Sequence, residues 1–302
     1  MEVSEGLGAI PLACRLVTIS MQDNFKEVAL MIRLLTQADK EEILKYLARN
    51  EIETSFIYAN IIEFGVENNR DIRRCADYYG FFDKEILKGI LPFYNLGSCI
   101  PHFEADEAVP LFSEIMKERN FEFLMGMQKV IKPLYEEIKA YKENLTYDES
   151  SYFINKNFKP FILDGVNFVN ASERDKVVDF VLESRVKGFN QVAEREDVKK
   201  SISQRGIEEV FIFLEKDGKT VAQACVQAYT PKINQIGSVY TTEVERGKGY
   251  CKAITSELCS RIIANGKLPT LTVKKKNLPA IKAYTALGFE HYDDYLIIKY
   301  KK

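Results

Sequence analysis

Residues 239–289 read VYTTEVERGKGYCKAITSELCSRIIANGKLPTLTVKKKNLPAIKAYTALGF. An apolar strand, Asn234–Thr242, runs through a glycine turn, Arg246-Gly247-Lys248-Gly249-Tyr250, into an amphipathic helix over Gly249–Ala264. A helix N-terminus carries unpaired N–H groups and a partial positive charge, so it suits a phosphate. Gly247 and Gly249 let the backbone curl towards the anion, while Arg246 and Lys248 add positive charge. A strand at Pro269–Lys274 follows, then a helix with Asn277 as N-cap, Pro279 in its first turn and Gly288 as its stop. Asn277, Ala280, Tyr284 and Leu287 recur at helical spacing and share one face.

The loop is not a P-loop, which needs four residues between its glycines and Lys-Ser/Thr after the second. It also lacks the third glycine and the later acidic residue of the dinucleotide fingerprint. What distinguishes it is the pair of motifs in this order. The chain resembles the Gcn5-related N-acetyltransferase (GNAT) superfamily, in particular its FR47-like branch. The family's Arg/Gln-x-x-Gly-x-Gly/Ala motif is matched by Arg246 and Gly249, with Cys251 in place of a small residue. Val239-Tyr240-Thr241 resembles the family's fourth strand, whose backbone pairs with the pantetheine arm. The Asn-x-x-Ala-x-x-x-Tyr-x-x-x-Gly-Phe signature is matched by Asn277, Ala280, Tyr284, Gly288 and Phe289. Thr242-Glu243 stands where many relatives carry proline.

The resemblance implies an α/β (α+β) GNAT fold, a mixed and mostly antiparallel sheet flanked by helices. It also implies acetyl-CoA as co-substrate, no metal, and an amine acceptor: a small molecule, an amino acid or a peptide N-terminus. The residues expected to hold the cofactor are Val239, Tyr240, Thr241, Arg246, Gly247, Lys248, Gly249, Tyr250, Cys251 and Asn277, with Lys274-Lys-Lys276 near the 3′-phosphate. Tyr284 is the implied proton donor to the leaving thiolate. An unperturbed phenol near 10 and a thiol near 8.5 make that transfer feasible. Glu243 is the candidate base, with Glu208 and Glu209 as rivals. A larger acyl-CoA donor and a catalytically lapsed CoA-binding module remain open as alternatives.

The whole chain sets further bounds. At 302 residues it suits two domains, and 46% hydrophobic residues suffice for packed cores. A net charge of −2 gives no general pull towards nucleic acid or a membrane surface. Six cysteines without a CxxC pair and only two histidines, His102 and His291, make zinc improbable and fit a reducing cytoplasm. No apolar run approaches the roughly twenty residues that span a bilayer. Residues 1–30 have acids ahead of their apolar piece, a poor secretion signal, and are expected to be a poorly ordered leader.

Further elements follow from periodicity. A short strand Asn167–Asn170 and a helix over Ser172–Lys187 precede a second helix over Glu194–Gln204. Strands Val210–Leu214 and Thr220–Tyr229 close about Asp217-Gly218, and Tyr141–Asn157 is a linker or an exchanged strand. Residues 34–47 align with 168–181 at an offset of 134 (168 − 34). This predicts a tandem pair: a degenerate GNAT-like domain at 31–160 and a catalytic one at 161–302. The offset puts the phosphate loop opposite Phe112–Lys117, which lacks glycine, just after acidic Glu104, Asp106 and Glu107. The first half is also rich in rings, among them Phe56, Tyr58, Tyr78, Tyr79, Phe81, Phe82, Phe93 and Tyr94. These could fill its own core or wall an acceptor pocket.

Overall fold

Asp217 and Gly218 both take positive φ, 48° and 73°, the mirror-image turn whose twist matches two antiparallel strands. In the computed structural model, which describes residues 14–18, 29–170, 174–203 and 211–301, this turn closes the expected hairpin. The chain forms two units. One comprises the residues up to Tyr147 together with Leu296–Lys302; the other is Asp148–Tyr295. Both cuts of this division fall inside strands.

The first unit is built from β1 (Cys14–Thr18), β2 (Ala29–Leu34), α1 (Lys40–Arg49), α2 (Ser55–Phe64), β3 (Ala76–Asp83), β4 (Ile86–Tyr94), β5 (Ser98–Cys99), β6 (His102–Phe103), α3 (Ala108–Glu118), β7 (Phe123–Met127) and α4 (Gln128–Ile138). Strands β1 to β4 are antiparallel neighbours, and β5 pairs with β7 in parallel. Period-two alternation along β3 sends Tyr79 and Phe81 into a core with α3 and α4, and Tyr78 into one with α1 and α2. All of the rings named above except the half-buried Phe56 are buried in these two cores, as packing residues are.

Next come β8 (Asn144–Ile154), β9 (Asn167–Asn170), α5 (Arg174–Glu183), α6 (Arg195–Ser203), β10 (Phe211–Lys216), β11 (Lys219–Tyr229), β12 (Ile233–Thr241), α7 (Tyr250–Ala264), β13 (Leu268–Lys274), α8 (Leu278–Ala286) and β14 (Glu290–Tyr300). In the second unit β9, β10, β11 and β12 are successive antiparallel neighbours. β12 pairs in parallel with β13, and β13 antiparallel with β8. Most of Tyr141–Asn157, read as a linker or an exchanged strand, is a strand, buried over Ser150–Ile154. The helix expected over Ser172–Lys187 ends at Glu183 and continues as a π-turn, Ser184–Gly188.

From β2 and from β9 onwards both units run strand, two helices, three strands, helix, strand, helix, leaving aside the two-residue β6. α1 and α5 have ten residues each and start 134 positions apart (174 − 40). The constant offset fails further on, because α3 and α7 start 142 apart (250 − 108). Phe112–Lys117 therefore lies inside α3. The counterpart of the glycine loop is the acidic stretch Glu104–Glu107, where Glu104 is ion-paired with Arg49 at 2.6 Å.

Candidate active site

β12 and β13 stay paired only over Ile233–Ile236 and Leu268–Leu271. Beyond Ile236 β12 keeps its antiparallel partner β11, with a register shift between Gln223 and Cys225. Opposite that shift Ser238 takes φ 52°, so a β-bulge bends the strand there. Among the described residues the β13-side edge of Gly237–Thr241 has no strand partner. An extended ligand arm can therefore add to it by backbone hydrogen bonds. This is the segment of Val239, Tyr240 and Thr241.

The strand gives way to a 3-10 turn, Glu243–Glu245, and then to the glycine loop. Gly247 and Gly249 have φ of 82° and 87°, and a Cβ would meet nothing within 4 Å at the first and only the Phe161 ring, at 3.6 Å, at the second. Glycine is needed here for backbone conformation rather than for space. α7 makes its first turn bond from Ala253 N–H to Gly249 O at 2.9 Å. The N–H groups of Tyr250, Cys251 and Lys252 precede it and open the helix as an anion site. The loop cations each meet an acid three residues back: Arg246 lies 3.9 Å from Glu243 and Lys248 2.8 Å from Glu245. Such exposed pairs are worth little and yield readily to a diphosphate.

Asn277 caps α8, its side-chain oxygen accepting Ala280 N–H at 3.3 Å. At the other end Gly288, φ 91°, turns the chain so that its Cα lies against Asn157. A Cβ there would sit 2.0 Å from the Asn157 carbonyl oxygen. Phe289 meets the Tyr284 ring edge-on at 5.9 Å. Three of the five signature residues, Asn277, Gly288 and Phe289, thus frame Tyr284. We expect Gly288→Ala to destabilise the protein by roughly 3 kcal/mol, a fall in Tm on the order of 10 °C. Gly266→Ala is the control, since Gly266 has φ 70° but nothing within 4 Å of a Cβ. Equal melting of the two variants in calorimetry would leave no role for the Asn157 contact.

Tyr284 is buried, with the Cys251 thiol at the start of α7 as its neighbour. Burial, then the neighbouring Cys251, holds the phenol well above its ordinary value. The Cys251 thiol is pushed up to about 11 by burial, with the neighbouring Tyr284 acting the other way. It stays protonated and poorly nucleophilic at neutral pH, as packing residues do. Cys259 is buried, and burial raises its thiol further.

Glu243 sits on the exposed 3-10 turn beside Arg246, its side chain 79% exposed. Glu208 and Glu209 lie outside the described residues. Lys274 and Lys275 pair with Asp148 and Asp294, and His291 also meets Asp294. The structure thus brings Tyr284 and Cys251 together at the α7 opening, while Glu243 lies exposed on its turn. Two relations are new to the sequence reading. Tyr240 donates to Glu183 at 3.1 Å, and buried Gln223 reaches Ser184 and Ser238. Gly237 inside a strand pattern was the available signal for the bulge.

Residues 212–298 match the family model described as FR47-like protein. None of the curated proteins compared matches the sequence. Among solved structures, a Drosophila protein aligns with a TM-score of 0.68 at 11% identity, covering 89% of this chain and 98% of its own. A GCN5-related N-acetyltransferase from Sphaerobacter thermophilus gives 0.57 at 12%, covering 90% and 95%. A tandem GNAT protein from the clavulanic acid biosynthesis pathway gives 0.55 at 12%, covering 89% and 97%. At such identities the likeness is one of fold. The fold is the one these GNAT structures share, and the FR47-like match lies within its second half, at 212–298. Among the described residues no helix is long and apolar enough to cross a membrane.

Proposed function

We propose that Asp148–Tyr295 forms an acetyl-CoA-dependent N-acetyltransferase acting on a primary amine in a ternary complex. The observation that carries this reading is the buried Tyr284 hydroxyl held beside the opening of a phosphate-binding helix. Arg246–Cys251 would take the diphosphate through backbone N–H groups, and the unpaired edge of Val239–Thr241 would take the pantetheine arm. A free amine nitrogen adds to the thioester carbonyl, the C–S bond breaks with its electron pair on sulfur, and Tyr284 supplies the proton. The attacking nitrogen gives up its own proton to a base, for which Glu243 is the candidate at the end of β12. The first unit, with three acids where the loop would be, binds no acyl-CoA in this reading.

The test joins calorimetry of acetyl-CoA with a thiol-release assay over primary amines. Binding together with amine-dependent thiol release supports the reading. Acetyl-CoA binding without release to any amine leaves only a binding module.

Tyr284 also sets an expectation for pH. An acid works in its protonated form, so its activity is present below its pKa and lost as pH rises through it. With the phenol raised above 10, kcat should show no Tyr284-dependent fall below about pH 10. A pH–rate profile with an alkaline limb near 8.5 that vanishes in Tyr284→Phe would contradict this.

A further inference from the structure

The mechanism above uses the β13-side edge of β12 and leaves unexplained the cluster packed against Tyr240 on α5 and its π-turn. Phe189 N–H bonds Ser184 O at 3.0 Å to close that turn, and π-turns inside helices concentrate at functional sites. Gly188 lies so close to Tyr240 that a Cβ would stand 2.5 Å from the ring. Phe180 touches the same ring at 5.9 Å. Tyr240 is thereby fixed, and its hydroxyl holds Glu183 Oε1 at 3.1 Å. Lys187 approaches that same oxygen only to 3.8 Å. Glu183 Oε2 has no partner among the described residues.

One residue along the turn, Ser184 Oγ accepts Gln223 Nε2 at 2.8 Å, and Ser238 O of the bulge accepts it at 3.2 Å. With both contacts on its nitrogen, the fully buried Gln223 amide leaves its oxygen without a donor. A carboxylate oxygen and an amide oxygen, both lacking donors, flank the bulge of the strand expected to carry the thioester. Both are acceptors, and a protonated primary amine offers three donors and a positive charge. Val186 and Phe189 on the same turn are 45% and 43% exposed.

We propose that Glu183, steadied by Tyr240, binds the ammonium of the acceptor, and that the acceptor is a primary amine on an apolar body. Val186 and Phe189 would meet that apolar part. This rests on the acetyltransferase reading above and adds the acceptor's chemistry to it. Primary amines near pKa 10 are cations at neutral pH, so the acceptor must be captured charged before it can be deprotonated. Glu183, with a side chain 32% exposed, is better shielded for that task than Glu243. Lys187 is then a competitor for the same carboxylate.

The experiment uses the full chain, acetyl-CoA and 2-phenylethylamine in the thiol-release assay, with amine-free calorimetry of acetyl-CoA in parallel. In Glu183→Gln, the KM for the amine should rise about thirtyfold while acetyl-CoA affinity stays as in wild type. In Lys187→Gln, which removes only an exposed cation, the same KM should fall about threefold. A merely structural Glu183 would not produce that opposite pair. An amine KM within twofold of wild type in Glu183→Gln, or a raised one in Lys187→Gln, overturns the proposal. So does a wild-type protein that acetylates other amines but not 2-phenylethylamine. Failure of wild type to bind acetyl-CoA is a separate result, read without any amine, and it overturns the acetyltransferase reading itself.

Discussion

Tyr284→Phe should lower kcat between about tenfold and a thousandfold while acetyl-CoA affinity changes little. In barrier terms that is roughly 1.4–4 kcal/mol, the range expected for a lost general acid. The variant keeps the ring, and hence the edge-on contact with Phe289, so packing is preserved and only the hydroxyl is lost. The neighbour of that hydroxyl is the Cys251 thiol. Cys251→Ala therefore separates two explanations. If Cys251 only packs, the Ala variant retains most of kcat. If Tyr284 also acts only through packing, Tyr284→Phe retains it too. Thiol-release kinetics on both, with calorimetric acetyl-CoA affinities, decide between them, and a wild-type rate in Tyr284→Phe returns the tyrosine to the core.

Local rules carried much of this molecule. Asp217-Gly218 specified its hairpin because two adjacent positive-φ positions leave few other choices. Arg246–Gly249 ahead of an apolar-periodic run specified the α7 opening, and Asn277 with Gly288 bounded α8 within a residue or so. What stayed hidden depends on partners distant in sequence. Cys251 was read as a departure from a motif, since nothing along the chain says that a tyrosine 33 positions on (284 − 251) would lie beside it. The π-turn at Ser184–Gly188 extends a helical pattern by one extra residue per turn, a change that apolar spacing does not register. Likewise the stretch that became β8 read as either a linker or an exchanged strand, because its first half, residues 144–149, is largely polar and exposed while residues 150–154 are buried. The constant offset between the halves held across the first strand and helix and then drifted by eight residues (142 − 134), as loop lengths do between repeats.

Gly249→Glu should abolish measurable acetyl-CoA binding, at least a hundredfold loss, without unfolding the protein. The site sits where α7 presents the N–H groups of Tyr250, Cys251 and Lys252 ahead of its first turn bond. A carboxylate at Gly249 finds the same partial positive charge that would hold a diphosphate, so the new side chain acts as a built-in competitor. Two like charges about 4 Å apart at an effective dielectric near 20 repel by roughly 4 kcal/mol, close to a thousandfold in affinity. The same attraction to the helix end partly offsets the strain of a side chain at φ 87°, which is why the fold should survive. Gly249→Ala isolates the strain: its Cβ has room beside Phe161, so affinity should drop by less than about tenfold. Lys248→Gln should matter still less, because that cation is exposed and already shared with Glu245. Calorimetry across the three variants should order the losses as Glu, then Ala, then Gln. Wild-type affinity in Gly249→Glu would mean that the cofactor's phosphates lie elsewhere than at the opening of α7.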